Sequence, residues 1–463
     1  MRTKTTRVWR LGGGLVGSCV LLAAACGGTA VPPDEPRRPN VVVIVVDTLR
    51  ADHLSFGGYS RMTSPNLDRL AGMSVVFRNA FAAAPWTTPS VGALFTSQYP
   101  SALGSFDQPR PIGERFPTLA EILKGEGYRT HGIISVSMLT RQLGFGRGFD
   151  SYDESACVER SEISSPRVTD LAIQFLKDHY DETFFLFVHY FDPHYNYMLH
   201  PEFDFSPTYD GPLGSGVPIQ RLWQDRSGFT QGDVDYLQAL YDSEIRFTDH
   251  HIGRLLDEIE SLGLFDGSLV VVTADHGEEF MERGWIGHTR TLHRELLHVP
   301  LIFRLPDGRV GTVDDPVGLV DVMPTILEHV GLQVPDGLEG VSLPLQEPFR
   351  AEARPIFAET SNPQVHQPGA VTPIDLKSMQ IGDTKLIYDA LEDRVALFDL
   401  ATDPAESTNL ASERRDRTER LRAVLLDWSG RTEAKRDGEP GAAVEELLSE
   451  QQLEELRALG YIQ

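Results

Sequence analysis

Three short apolar runs along the chain end in the same way, in a group of polar residues. The runs and the residues after them are 41–46 with Asp47, 184–190 with Asp192, Pro193 and His194, and 269–273 with Asp275 and His276. Such continuous runs are typical of strands buried on both faces, as in a parallel sheet covered by helices. Open sheets of this kind bind ligands at the carboxyl ends of their strands. The polar groups therefore predict a site, although each alone also fits a simple loop start.

A long amphipathic helix is predicted between the second and third runs. Its apolar positions keep helical spacing and are Leu237, Leu240, Tyr241, Ile245, Ile252, Leu255, Leu256 and Ile259. The order strand, helix, strand indicates a doubly wound α/β fold, with a mixed, mainly parallel sheet and helices on both faces. Residues 201–228 lack periodicity, and we interpret them either as a substrate rim or as a surface insertion.

The pattern changes after about Pro344, where short strand-like pieces alternate with turns. Residues 356–358, 379–381, 385–388 and 396–399 are the pieces that predict a small antiparallel sheet. Helices are expected near 418–428 and 444–459, with a polar linker between them. We therefore expect a catalytic domain at 40–345, a C-terminal subdomain at 346–430, and a linker with a terminal helix at 431–463.

The first 25 residues have the features of a signal peptide, a basic start followed by an apolar run. Ala23-Ala24-Ala25-Cys26 resembles a bacterial lipobox, which would make Cys26 the lipidated first residue of the mature protein. Residues 26–39 then form a Pro-rich tether. We expect an exported lipoprotein at the periplasm or cell surface, on the outer membrane if the host is Gram-negative. Plain secretion and a retained anchor are the alternatives.

Charge and cysteine content exclude other classes of protein. The 463-residue chain has a net charge of −25, and removal of residues 1–25, with four basic and no acidic residues, makes it −29. So acidic a protein is not expected to bind nucleic acid. Cys157 is the one cysteine beyond Cys26, which excludes a disulfide framework.

Asp47, Asp275 and His276 are the first candidates for chemistry. Carboxylates and an imidazole brought together at strand ends suit one divalent cation. Calcium prefers shells made only of oxygen, so His276 favours zinc or manganese. Asp47 also fits a second interpretation, as the N-cap of a following helix.

Thr87 is the candidate nucleophile. Pro89 is expected as the first residue of a helix capped by Thr88, which places Thr87 just outside the helix N-terminus. Free N–H groups there attract an anion and stabilise an alkoxide. A threonine hydroxyl needs a metal or a base to become nucleophilic. The same stretch also fits a plain capped helix.

His194 and His288 are candidates for proton transfer. Either imidazole could protonate a leaving oxygen or activate a water molecule near neutral pH.

Several segments, in order, resemble the sulfatase family of the alkaline phosphatase superfamily. They are NVVVIVVDTLRADHLSFGGY, SPNLDRLA, TTPSVGALFTSQYP, HYFDPHYNY, VVTADHGEEF, GHTRTLHRELLHVPLIF, LVDVMPTIL and LFDLATDPAESTNL. The resemblance covers about residues 40–412. It implies hydrolysis of an anionic ester of a small molecule, glycan or lipid, with calcium as the family's usual metal.

The resemblance also assigns positions. Asp47, Thr48, Asp275 and His276 occupy the metal-ligand places, with Thr87 at the nucleophile place and as a further ligand. His194 matches a substrate-contacting histidine, and His288 falls where many sulfatases have a catalytic lysine.

This sequence departs from the family pattern at the nucleophile and around it. Thr87 cannot form the formylglycine that sulfatases make from cysteine or serine, Val91 replaces the signature arginine, and Thr48 replaces an aspartate. A threonine nucleophile resembles the phosphoethanolamine transferases of the superfamily, which implies a phosphodiesterase or phosphotransferase as an alternative. A non-catalytic protein that binds anionic glycans is the other alternative.

Overall fold

The computed structural model describes residues 37–105, 107–157, 163–206, 208–362, 373–436 and 447–459. The predicted signal peptide, Cys26 and most of the tether lie outside these residues. Among the described helices, none combines the length and apolar character that a membrane-spanning segment needs.

Most strands of the described chain belong to one mixed sheet. These strands are β1 Asn40–Val46, β2 Val75–Phe81, β3 Arg129–Ile133, β4 Ser151–Asp153, β5 Phe184–Tyr190, β6 Ser268–Ala274, β9 His298–Arg304, β10 Gly311–Val313 and β11 Val317–Gly318. Their order is β10-β2-β9-β6-β1-β5-β3-β4, with β11 also paired to β2. Strand β9 is antiparallel to its neighbours β2 and β6, while the other described pairs of this sheet are parallel. Strands β7 Glu279–Phe280 and β8 Ile286–Gly287 form a separate two-stranded ribbon.

The central strands are the three predicted apolar runs. Strands β5, β1 and β6 are neighbours, and their residues are buried throughout. The prediction of a mainly parallel sheet is therefore confirmed. Strands covered on both faces leave no position for a polar side chain facing water, which explains why these runs are apolar.

Two groups of helices pack with this sheet. The described helices are α1 Pro65–Ala71, α2 Thr87–Thr96, α3 Pro100–Leu103, α4 Leu119–Gly125, α5 Ser165–His179, α6 Ile219–Asp225, α7 Gln231–Ser261, α8 Arg294–Leu297, α9 Val322–His329, α10 Arg415–Glu433 and α11 Glu450–Leu459. Helices α1 and α5 contact α7, whereas α4 and α9 contact α2. The predicted amphipathic helix is α7, which begins at a capping box formed by Thr230 and Asp233.

The region 201–228 contains more structure than the sequence predicted. Helix α6 lies within it and buries Ile219, Leu222 and Trp223 at helical spacing. The Trp223 indole donates a hydrogen bond of 2.8 Å to the carbonyl oxygen of Ile286. This segment therefore packs against the ribbon that precedes His288, and its role as a substrate rim stays a prediction.

A second, antiparallel sheet follows in the C-terminal part, as predicted. It has the order β12 Ile356–Asn362, β13 Ile374–Ile381, β14 Thr384–Asp389 and β15 Arg394–Asp399. Helix α10 covers it through Trp428, whose ring stacks on Phe357 at 4.2 Å and meets Tyr99 edge-on at 5.1 Å. Helix α11 is the predicted terminal helix, although residues 437–446, where it was expected to start, lie outside the described residues. The described residues from Arg38 onward form one compact unit, and the predicted domain boundaries stay predictions.

Candidate active site and metal centre

Strand register places two carboxylates side by side. Val45 pairs with Thr273, and Val46 pairs with Ala274 in the parallel ladder of β1 and β6. Alternate residues of a strand point to the same face, so Asp47 and Asp275, each one residue past its strand, project to the same side. The backbone N–H of Asp47 donates to the carbonyl oxygen of Tyr190 at 2.8 Å, which joins the end of β5 to this edge.

Asp47, Asp275 and His276 form the cluster that the sequence predicted. One ligand atom from each lies within 4.8 Å of the others, and all three residues are fully buried. His276 Nε2 is 3.7 Å from Asp47 Oδ1 and 3.5 Å from Asp275 Oδ2. Both Asp47 oxygens and Asp275 Oδ2 are buried and accept no hydrogen bond of ordinary geometry from the described residues. These oxygens fit a bound cation, because a buried polar atom otherwise requires a hydrogen-bond partner.

Negative charge accumulates at this cluster. Burial, followed by the charges of Asp275 and Glu278, raises the pKa of Asp47 well above its ordinary value. Burial also raises the pKa of Asp275, although the neighbouring His276 opposes that shift. Carboxylates held this close repel one another, so binding of a divalent cation would relieve the repulsion.

The His276 ring is held in the tautomer that a ligand needs. Its Nδ1 lies 2.9 Å from the carbonyl oxygen of Gly277. A carbonyl oxygen can only accept, so Nδ1 carries the proton and Nε2 presents its lone pair to Asp47 and Asp275. This arrangement is the usual one for a histidine that binds a metal through Nε2.

Thr87 lies at the same point. Helix α2 begins at Thr87 with Trp86 as its N-cap, so the expectation that Pro89 starts the helix was wrong by two residues. Proline is also compatible with the first turn, where its missing N–H is not needed. Thr87 Oγ1 is 3.4 Å from His276 Nε2. The Ser90 hydroxyl donates to the carbonyl oxygen of Asp275 at 2.6 Å and fixes the helix against β6.

The structure brings both candidate proton-transfer histidines to the cluster. The His288 ring lies 4.5 Å from the His276 ring and 4.9 Å from the His194 ring, between centroids. His194 Nδ1 lies 2.8 Å from the carbonyl oxygen of Tyr195, and the Tyr195 ring stacks on His288 at 5.1 Å. Both histidines are nearly fully buried. His288 therefore adjoins the cluster through His276, and His194 adjoins it through His288.

Thr48 and Val91 differ in what they add to the site. Thr48 has a φ of 55°, and its backbone N–H donates to Asp275 Oδ1 at 3.2 Å. A left-handed conformation is uncommon for a β-branched residue and is typical of a constrained site. The assignment of the Thr48 hydroxyl as a metal ligand stays a prediction. Val91 is fully buried in α2, so no charge replaces the signature arginine there.

Two residues of the site were missed from the sequence. Glu278 is fully buried, and its Oε1 lies 2.8 Å from His288 Nδ1. The Asp-His-Gly-Glu run was the sequence signal for Glu278. His189, also fully buried, places Nε2 at 3.7 Å from Asp47 Oδ2. Its signal was a histidine in the otherwise apolar β5, in register with β1.

Comparison with known proteins supplies the family. The Sulfatase family model matches residues 39–332, which is more than half of the chain. The ulvan-active sulfatase of Formosa agariphila is 28% identical over 353 residues, covering 68% of this chain and 66% of that protein. The chain belongs to the sulfatase family, within the alkaline phosphatase superfamily, and is an enzyme of the ester hydrolase class.

Solved structures share the fold. BT4656, in complex with its substrate D-glucosamine-2-N,6-O-disulfate, has a TM-score of 0.69 at 22% identity, covering 87% of this chain and 99% of that one. The phosphonate monoester hydrolase of Agrobacterium radiobacter has a TM-score of 0.66 at 21% identity, covering 86% of this chain and 95% of that one. A protein whose substrate is a disulfated glucosamine and a phosphonate monoester hydrolase thus both have folds similar to that of this chain.

Proposed function

We propose that this protein is a metal-dependent ester hydrolase in which Thr87 is the nucleophile. The observation that carries the proposal is the position of Thr87 Oγ1, 3.4 Å from His276 Nε2 and beside a buried carboxylate pair at the start of α2. The helix N-terminus favours the alkoxide over the hydroxyl, and a cation held by the cluster would do the same, which is what a poor nucleophile needs.

One divalent cation would be held by Asp47, Asp275 and His276, with Thr87 and Thr48 as further ligands. When bound, it would lower the pKa of the Thr87 hydroxyl and stabilise negative charge on the substrate. The imidazole of His276 favours zinc or manganese over calcium, because calcium prefers oxygen ligands.

The chain's own residues then perform a two-step displacement. Thr87 Oγ1 forms a bond to the sulfur or phosphorus of the ester as the bond to the leaving oxygen breaks. The hydroxyl proton moves to His194 or His288, which delivers it to the leaving oxygen. In the second step, water attacks the same central atom, one of these imidazoles takes its proton, and Thr87 is released with its proton restored.

The nucleophile favours a phosphoryl substrate. A formylglycine hydrate has a second hydroxyl and can expel sulfate by collapsing to the aldehyde, whereas threonine has none. Water must therefore cleave the threonine ester at its central atom, which is ordinary chemistry for phosphorus. The fold shared with a phosphonate monoester hydrolase supports this choice.

The charges near Thr87 favour a reacting group with one negative charge. Val91 stands where sulfatases have arginine, and His288, whose imidazole can be uncharged, stands where many have lysine. A site with fewer fixed cations compensates a dianion poorly. We therefore propose a phosphodiester as the best substrate class, ahead of a phosphate monoester.

The remainder of the substrate is proposed to be a glycan or a lipid. Support for a glycan comes from the ulvan-active sulfatase and from the glucosamine disulfate bound by BT4656. We further propose that the protein is exported and anchored to a membrane through lipid on Cys26, which would place it beside such polymers.

A panel of aryl esters tests the proposal. We expect a higher kcat/KM for an aryl phosphodiester than for the matching phosphate monoester, sulfate and phosphonate monoester. Thr87→Ala should lose this turnover. Thr88→Ala is its matched control and should keep it, because Thr88 Oγ1 donates to the carbonyl oxygen of Met138 at 3.3 Å, outside the proposed machinery. If aryl sulfate is the best substrate, the phosphoryl assignment is wrong. If no ester is turned over by metal-loaded protein, the non-catalytic glycan binder replaces the hydrolase.

A further inference from the structure

Two arginines lie over one tryptophan ring beside the candidate active site. The guanidinium carbons of Arg226 and Arg290 are 4.5 Å and 5.3 Å from the centroid of the Trp285 ring. Both distances fall within the range of a cation–π interaction. Arg226 belongs to the region 201–228, which the sequence marked as a possible substrate rim, whereas Arg290 follows the ribbon of β7 and β8. Two separate segments thus bring positive charges to the same aromatic ring, and both arginines are half-buried.

Packing and hydrogen bonds hold the Arg226 side chain in place. The Trp285 ring stacks on the Trp223 ring at 5.6 Å between centroids. The Trp223 indole donates to the carbonyl oxygen of Ile286, which ties helix α6 to the ribbon. The Arg226 guanidinium in turn donates to the carbonyl oxygen of Trp223. The region 201–228 is therefore joined to the ribbon at the point where the two arginines meet.

The backbone carries Arg290 close to the proposed reacting groups. Arg290 is two residues after His288, so their Cα atoms are at most about 8 Å apart. Between them, Thr289 has a φ of 81°, and its N–H donates to the carbonyl oxygen of Pro85 at 3.0 Å. Pro85 is in turn two residues before Thr87. A left-handed conformation is uncommon for a β-branched residue and is typical of a constrained segment, so Arg290 has a fixed place next to the candidate active site.

The two guanidinium groups are close enough to repel each other. Burial lowers the pKa of Arg290, and the charge of Arg226 lowers it further. Glu279 opposes this shift, but burial raises the pKa of Glu279 to about 8, so its carboxyl is largely uncharged at neutral pH. A bound anion would relieve the repulsion, because guanidinium groups bind oxyanions through paired N–H donors.

We propose that Arg226 and Arg290 form a second anion subsite, which binds a negatively charged group on the part of the substrate next to the reacting ester. This inference rests on the proposed function and deepens it, because it gives the substrate a second oxyanion. It also gives the region 201–228 the role of a substrate rim, through Arg226. A carboxylate or sulfate of an acidic glycan, or a phosphate of a lipid headgroup, would supply the oxyanion.

Calorimetric binding of phosphinates to metal-loaded wild type tests the proposal. A phosphinate carries one negative charge, as a phosphodiester does, but has no ester bond to cleave. One alkyl arm, in a series of lengths, ends in a carboxylate, sulfate or phosphate, and each compound is compared with the matching carboxamide. We expect the best charged end to bind at least about tenfold more tightly than the carboxamide. A carboxylate or sulfate that binds best indicates a glycan, and a phosphate indicates a lipid headgroup.

Arg226→Gln and Arg290→Gln should each reduce this preference below about threefold. Arg221→Gln is the matched control and should keep it, because Arg221 is an exposed arginine of the same region, paired with Asp225 at 3.4 Å. Equal binding of charged and carboxamide ends by wild type, including no detectable binding of either, overturns the proposal. A preference that survives in Arg226→Gln or in Arg290→Gln overturns it as well.

The binding ratio is independent of turnover. A preference for the charged end in a protein that cleaves no ester would keep the subsite and remove the Thr87 mechanism. Turnover of phosphodiesters by a protein without the preference would do the reverse.

Discussion

Thr87 Oγ1 lies 3.4 Å from His276 Nε2, although the two residues are 189 positions apart in the chain. Helix α2 carries the first and the end of β6 precedes the second. The hydrogen bond from Ser90 to the Asp275 carbonyl oxygen ties the helix to the strand end one turn from Thr87. The distance between the proposed nucleophile and the proposed metal ligand is therefore a property of the packed core, and a rigid scaffold of this kind favours a preorganised reaction.

Loss of one buried carboxylate should stabilise the metal-free protein. The raised pKa of Asp47 means that the fold disfavours its charge, which costs stability above the unfolded pKa of 3.8. We expect Asp47→Asn to raise the free energy of unfolding of chelator-treated protein at pH 7 by on the order of 1–2 kcal/mol. The gain should fade as the pH falls toward 4, and metal binding should be lost.

Denaturant unfolding with and without metal measures both effects. Asp52→Asn is the comparison, because Asp52 forms an ion pair with Arg50 at 2.9 Å and its loss should not stabilise. If the metal-free Asp47→Asn variant is less stable than metal-free wild type, burial and the neighbouring charges do not destabilise the ionised Asp47 carboxyl.

The metal should be zinc or manganese. His276 supplies a nitrogen ligand that calcium does not favour. Elemental analysis of purified protein, and reloading after chelation, should give about one zinc or manganese per chain. Stoichiometric calcium with neither transition metal would refute this prediction.

Buried His298 should make the fold sensitive to acid. Burial lowers the pKa of His298 from 6.5 to about 4. Below pH 6.5 the unfolded chain binds a proton that the folded chain refuses, so stability present above that pH is lost as the pH falls toward 4. The loss is at most about 1.4 kcal/mol per pH unit for this group.

His298→Gln should reduce the slope of unfolding free energy against pH between 6 and 4 by up to that amount. Glutamine cannot titrate, while its amide can still donate to the Arg78 carbonyl oxygen that His298 contacts. Equal slopes for wild type and variant would show that His298 does not resist protonation in the folded protein.

Lipid on Cys26 should anchor the protein. Fractionation of expressing cells should find wild type with membranes, and Cys26→Ser released or unprocessed. Gly27 after the cysteine provides no aspartate-type retention signal, so the outer membrane is expected in a Gram-negative host. Equal solubility of both forms would count against the anchor.

The sequence predicted the parts of the site that follow apolar runs. Runs 41–46 and 269–273 lack polar positions, which identified buried strands and marked Asp47 and Asp275 at their ends. The polar groups were predicted to meet because parallel strands end at a common edge. The small antiparallel sheet was likewise visible in its short pieces and turns.

Other features depend on pairing that local patterns do not contain. His189 stands in an apolar run, and only its register with Val45 places it on the face of Asp47. Helix α6 buries three residues, Ile219, Leu222 and Trp223, and three positions are too few to make a periodic signal in the sequence. The contact between Glu278 and His288 depends on the turn that joins β7 to β8.

A covalent intermediate on Thr87 tests the central claim most directly. Metal-loaded protein is mixed with an alkyl aryl phosphodiester, from which the aryl oxide leaves, and the mixture is quenched rapidly in acid, digested and analysed by mass spectrometry. We expect the alkyl phosphoryl group on the peptide that contains Thr87, no adduct and no turnover in Thr87→Ala, and partial turnover in Thr87→Ser, since loss of a nucleophile costs far more than about a hundredfold. Wild-type turnover by Thr87→Ala, or an adduct on another residue, would contradict the account.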